Sequence, residues 1–213
     1  WSHSTVVPNQ PTASPQAVES TRLAPTQDNS PRGAMMRGVV SQTRHFLGDE
    51  SAPVTVIEFC DFEVPECAQF TNQVLAKIQE IYINTGQVRF GFWPMSTSGA
   101  SSQLVAEAAE CAADQDAFWQ YSAVIYTEEA QSVPDFDKNG LNAFAAALGL
   151  DTATFAECLD SGKYTDLIKD GTTTIQEFGL PEVPTFLVNG QPLIGLQTFE
   201  SLQQTIDALI PSQ

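Results

Sequence analysis

The first sustained hydrophobic pattern begins past residue 50. Ala52 to Phe62 (APVTVIEFCDF) is rich in Val, Ile and Phe behind Pro53, the pattern of a buried strand. Between Gln69 and Tyr82, the residues Phe70, Val74, Leu75, Ile78, Ile81 and Tyr82 fall at helical spacing, and Gly86 closes that segment. Val88, Phe90 and Phe92 then alternate with Arg89 and Gly91, which predicts a second strand. A strand, a helix and a strand over about 40 residues form a β-α-β unit on parallel strands.

The pattern then turns helical. Ser101–Ala113, Ala117–Tyr126, Leu141–Leu148, the segment DTATFAECL behind Asp151, and Lys163–Phe178 each read as helices. Pro184–Val188 is strand-like, Asn189-Gly190 is a hairpin signal, and Pro192–Ile194 is the returning strand. Thr198–Ile210 is an amphipathic closing helix. The order is β-α-β, a helical insertion over about residues 96–180, then β-β-α. Without the insertion this is the order of a thioredoxin fold, so the fold class is α/β. The domain is expected over residues 46–213.

Residues 1–45 read differently. Pro, Ser, Thr and Gln dominate the first 34, and no period persists. Such a segment buries too little apolar surface to offset its ordering entropy, so it is expected to be an extended tail or linker, ordered only on a partner. The chain begins at Trp1 rather than Met, so a removed or tethering segment upstream is expected. The tail is mildly basic and the remainder strongly acidic, for a net charge of −17, which argues against nucleic acid as a partner. The only histidines are His3 and His45, a poor basis for a Ser-His-Asp machine or a His-based zinc site. No run approaches the length of a membrane span. Glu128, Glu129, Asp135 and Asp137 lack calcium-loop spacing and read as a solvated loop, so no metal or cofactor is expected.

Two segments and the insertion between them carry a resemblance. APVTVIEFCDFEVPECAQF resembles the active-site region of DsbA-like thiol:disulfide oxidoreductases. VPTFLVNGQPLIG is similar to that family's cis-proline loop and hairpin, and the insertion, with AAECA and FAECLDSGKY, is similar to theirs. The resemblance covers about residues 46–210. It implies a thioredoxin fold with a Cys-x-x-Cys at the start of the first helix, where the helix terminus lowers a thiol pKa. Here that stretch is Val64-Pro65-Glu66-Cys67. The resemblance places the attacking sulfur at Val64, which has no nucleophile, and the resolving sulfur at Cys67. It assigns Glu58 to a buried acid that handles the resolving thiol's proton. It assigns Val183-Pro184, followed by Thr185, to a cis peptide beside bound polypeptide.

Cys111 and Cys158 both fall in the insertion, and a structural disulfide between them is the simplest pairing, against two reduced buried thiols. For Cys60 and Cys67 three readings stay open: two buried thiols, an unusual disulfide across the strand–helix turn, or Cys67 acting as a lone thiol. Glu58, Asp61, Glu63 and Glu66 all stand nearby and are expected to disfavour a thiolate. With Val64 at the attacking position, the expected function is a non-catalytic, DsbA-like protein-binding or accessory subunit. It would sit on the extracytoplasmic side, with a protein partner, in a membrane complex contacted by the tail. The alternative is a thiol-disulfide oxidoreductase working through Cys67 with Cys60.

Overall fold

A computed structural model describes residues 29–127, 136–180 and 182–211. Most of the tail and the acidic residues Glu128, Glu129 and Asp135 lie outside the described residues. The elements run α1 (Pro31–Gln42), β1 (His45–Leu47), β2 (Val54–Cys60), α2, β3 (Val88–Pro94), α3 (Ala100–Ala113), α4 (Phe118–Ile125), α5 (Lys138–Ala147), α6 (Thr152–Ser161), α7 (Thr165–Glu177), β4 (Thr185–Val188), β5 (Gln191–Ile194) and α8 (Phe199–Asp207). Helix α2 starts at Pro65–Phe70 and continues to residue 83 with wider π-type turns at Thr71–Leu75 and Gln79–Ile83.

The five strands lie in the order β1-β3-β2-β4-β5. Strands β2 and β3 pair in parallel, as the α2 crossover requires, and every other pair is antiparallel. Central β2 is buried at all seven positions. Gly91 on β3 permits close packing: a Cβ there would stand 2.6 Å from Ile57 and 2.8 Å from Phe46. The hairpin turns through Asn189 and Gly190, both at positive φ. Asn189 Oδ1 also accepts from the Thr55 amide at 2.7 Å, fastening the turn to β2. This is a thioredoxin fold with the helices α3–α7 inserted between β3 and β4.

One face of the sheet packs Val56, Phe90 and Phe186 against α2 and α8. The opposite face packs Ile57, Phe59 and Trp93 against Ile175 of α7 and against Met36 and Val39 of α1. The insertion builds its own core around Val105, Tyr121 and Phe155, continuous with Phe92 and both Cys60 and Cys67. Cys111 and Cys158 are joined by a disulfide that fixes α3 to α6.

Helix α1 differs from the sequence expectation, which assigned residues 31–42 to a tail. Ser30 Oγ accepts from the Gly33 amide and Pro31 occupies the first turn, both favourable helix starts. Met36 and Val39 then bury almost completely. Their packing on the sheet holds a helix that composition alone does not announce. Strand β1 and the cap of α2 at Val64 also escaped the pattern: three residues are too few for a period, and Val64 offers no capping oxygen.

Candidate functional site

Strand β2 ends at Cys60 and helix α2 begins at Pro65, with a tight turn of four residues between them. Val64 stands at the helix cap and its carbonyl accepts from the Cys67 amide at 3.0 Å. Cys67 is therefore in the first turn of α2, its side chain turned back toward the strand end. Cys60 and Cys67 form a disulfide with a Cα separation of 6.0 Å. Both cysteines are fully buried, while Pro65 and Glu66 are exposed and Val64 is half-buried. Of the three readings open for this pair, the structure has the disulfide.

The cis-proline loop reaches the same end of the sheet. Val183 and Pro184 are joined by a cis peptide bond. Thr185 pairs with Phe59 on β2, so continuing the antiparallel register sets Pro184 beside Cys60. Thr185 Oγ1 donates to the Glu182 carbonyl at 2.6 Å, and the Pro184 carbonyl accepts from Gly195, which fixes the loop on both sides.

Two buried carboxylates, Glu58 and Asp61, lie close to Cys60 in the chain, and their environments are opposite. Glu58 lies two residues before Cys60, on the same face of β2, with Phe92 and Phe186 as its neighbours across the sheet. It is fully buried, and neither carboxyl oxygen has a hydrogen-bond partner among the described residues. Burial in these apolar surroundings pushes its carboxyl well above the usual carboxylate range and so favours its protonated form.

Asp61 is equally buried but saturated with donors. Its Oδ2 accepts from the amides and hydroxyls of both Thr97 and Ser98 and from Ser102 Oγ, at 2.7–3.0 Å, and Oδ1 accepts from the Glu63 amide. The acid that the sequence counted as a repelling neighbour of the thiol is the bolt that ties the strand–helix turn to the 97–102 segment. Glu63 accepts from Ser101 Oγ and closes the same seam.

Tyr126, at the end of α4, completes the surroundings. Its ring lies 5.3 Å from that of Phe62, and its carbonyl accepts from Asn72 Nδ2 of α2 at 2.8 Å. Its hydroxyl is buried with no partner, and burial followed by the charges of Glu58 and Asp61 pushes the phenol far above its ordinary value. A cleft of about 390 Å³ between α2 and α4 is lined by Asn72, Phe92, Trp119, Ser122 and Tyr126. In the sequence Tyr126 is only the last residue of the helical segment Ala117–Tyr126. Its place against β2 depends on how the insertion docks, which no local pattern encodes.

His45 takes no part. It stacks on Phe118 with centroids 3.4 Å apart, and its Nε2 meets Glu110 at 2.8 Å. Among the described residues no group of three or more His, Cys, Asp or Glu side chains forms a metal site. No described helix is long and apolar enough to cross a membrane.

Comparison with known proteins bears on this geometry. A family model described as Thioredoxin matches residues 40–208. Disulfide bond formation protein D of Bacillus subtilis is 27% identical over 165 residues, covering 76% of this chain and 74% of that protein. The probable disulfide bond formation protein D of Bacillus anthracis is 30% identical over 170 residues, 78% of this chain and 77% of that one. The crystal structure of oxidised BdbD from Bacillus subtilis superposes with a TM-score of 0.71 at 26% identity, covering 79% of this chain and 93% of that one. These relatives overturn the expectation of a non-catalytic accessory subunit. They are named for disulfide bond formation, and this chain holds a disulfide where strand β2 meets helix α2. That inference rested on Val64; in the structure Cys67 is bonded to Cys60, on the strand side. By the match of its model over most of the chain, this protein belongs to the thioredoxin family.

Proposed function

We propose that this protein is a thiol-disulfide oxidoreductase whose redox couple is Cys60–Cys67, acting on protein thiols in an oxidising, extracytoplasmic compartment. The observation that carries the reading is the disulfide between the strand end and the first turn of α2, next to the cis-Pro184 loop. The relatives' names support the reaction class. The second disulfide, Cys111–Cys158, supports the compartment, because structural disulfides persist where thiols are not kept reduced.

The chemistry follows from the surroundings. A substrate thiolate attacks Cys60, the S–S bond breaks, and its electron pair leaves on the Cys67 sulfur. Cys67 is the better leaving group because it sits in the first turn of a helix. Protonated Glu58 supplies the proton that Cys67 takes up. A second substrate thiolate then attacks the substrate sulfur of the mixed disulfide. This closes the substrate's disulfide and releases Cys60 as a thiolate, which takes a proton from solvent. The reverse sequence, with a disulfide-bearing partner, regenerates the couple. Since both sulfurs are buried, attack requires the Val64–Pro65 end of the turn to lift; the helix starts there without a side-chain cap, while Asp61 and Glu63 hold the earlier part of the turn to the 97–102 segment. Val64 is half-buried and packs against the cluster that holds the pair. Val183, Pro184 and Thr185 offer the backbone along which a polypeptide substrate would lie.

The test is exchange itself. The protein should oxidise a reduced, unfolded protein, and its Cys60–Cys67 pair should equilibrate with glutathione buffers, read by alkylation and peptide mapping. Cys60→Ser should abolish both while leaving Cys111–Cys158 intact. A pair that stays closed to thiols in the native protein, with no catalysis, refutes the reading.

A further inference from the structure

The polar groups around the disulfide are unequally satisfied. Asp61 is saturated, whereas Glu58 and the Tyr126 hydroxyl are buried with no partner among the described residues. A buried group left unpaired in one state is free to pair in another, and its unmet bond weighs against the state that leaves it unpaired. A closed disulfide offers these groups little, because its sulfurs carry no proton and accept weakly. Opening it creates negative charge in the same space, first on Cys67 and then on Glu58 as the proton passes.

Tyr126 is held to meet that charge. Its ring is packed against Phe62 in the β2–α2 turn, and its backbone is tied to Asn72, five residues beyond Cys67. Tyr126 belongs to the same buried cluster as Cys60, Phe62 and Cys67, and burial keeps its phenol protonated, so its hydroxyl has a proton to donate. Asp61 already has its donors, which leaves Glu58 as the acceptor without one. We propose that Tyr126 is a positioning residue of the redox site, its hydroxyl donating to the charge shared by Glu58 and Cys67 when the Cys60–Cys67 disulfide opens. This rests on the reading of Cys60–Cys67 as the redox couple. In effect Tyr126 stabilises the opened state and makes the couple more oxidising.

The experiment compares the intact protein with Tyr126→Phe, which keeps the ring and removes the hydroxyl. Each is equilibrated in glutathione buffers, where two glutathione thiols supply two electrons and leave as glutathione disulfide. The fraction of Cys60–Cys67 closed is read by alkylation and mass. Tyr126→Phe should favour the closed form at least tenfold, about 30 mV toward a more reducing potential, and should slow opening by glutathione to a similar degree. The melting temperature of the oxidised protein should hold or rise, since an unpaired hydroxyl is removed. Ser122→Ala removes a second buried, unpaired hydroxyl on α4 and should leave the potential unchanged. Equilibria and rates within twofold of the parent, or an equal shift in Ser122→Ala, overturn the assignment to Tyr126 while the couple itself stands. Failure of the parent protein to exchange at all removes the underlying reading and this one with it.

Discussion

Replacing Glu58 with Gln should change how the stability of the oxidised protein depends on pH, with a sign fixed by the structure. In the native protein burial holds the carboxyl well above the ordinary range. In the unfolded chain the same group ionises at about pH 4.3. Below that value both states are protonated and Glu58 carries no ionisation penalty. Above it the unfolded chain has lost a proton that the native state keeps, so stability falls as pH rises, by about 1.4 kcal/mol per pH unit. The fall levels off only where the native carboxyl finally ionises. Gln does not titrate, so the wild-type stability minus that of Glu58→Gln isolates this slope. The other carboxylates of a chain with net charge −17 titrate alike in both proteins and cancel in the difference. Between pH 5 and pH 6.5 the difference should move by about 2 kcal/mol against the wild type. Urea unfolding across pH 5 to 8, with m-values checked for equality, measures it. Parallel stability curves for the two proteins would show that Glu58 is ionised or solvated in the native state, and would remove the proton donor from the proposed mechanism.

Three further outcomes are expected. Cys158→Ala should cost about 2–4 kcal/mol in urea unfolding, because the bond it removes spans 47 residues of sequence; an unchanged midpoint would show that α3 and α6 hold each other without it. Met36→Ala should cost about 2–5 kcal/mol, since the side chain is only 1% exposed against the sheet; an unchanged melting temperature would return residues 31–42 to the linker. Reduction of Cys60–Cys67 by dithiothreitol should be slower than that of an exposed model disulfide and should plateau at high reductant, where opening of the turn limits the rate. A rate that is linear and as fast as the model disulfide's contradicts the burial of both sulfurs.

Much of the fold was legible because its elements follow the rules that patterns record. The alternation at Val88, Phe90 and Phe92, the Asp151 cap and the Asn189-Gly190 turn each have a local cause, and each element stands where those residues predicted it. What stayed hidden had tertiary causes. Helix α1 lies in a stretch of Ser, Gly, Arg and Gln, and only Met36 and Val39 meeting Phe59 and Trp93 make it part of the domain. Helix α2 starts at Pro65 rather than Gln69, and its two wide turns shift the spacing of apolar residues away from 3.6, so the pattern showed only its later part.

The site was legible in its parts and misjudged in their sum. Counting Glu58, Asp61, Glu63 and Glu66 along the chain suggested a field hostile to a thiolate, but distance and partners decide what each contributes. Glu66 is exposed to water, Asp61 spends its charge on six donors, Glu63 bonds to Ser101, and burial favours the neutral form of Glu58. Four formal negative charges thus leave little unscreened field at the sulfurs. The cysteines invited the same error. A spacing of seven residues matches no redox motif, yet a strand that ends on a core-facing side chain and a helix that returns over it after four residues bring positions 60 and 67 into bonding range. Separation along the chain was the wrong measure; the fold's own turn sets which sulfurs meet.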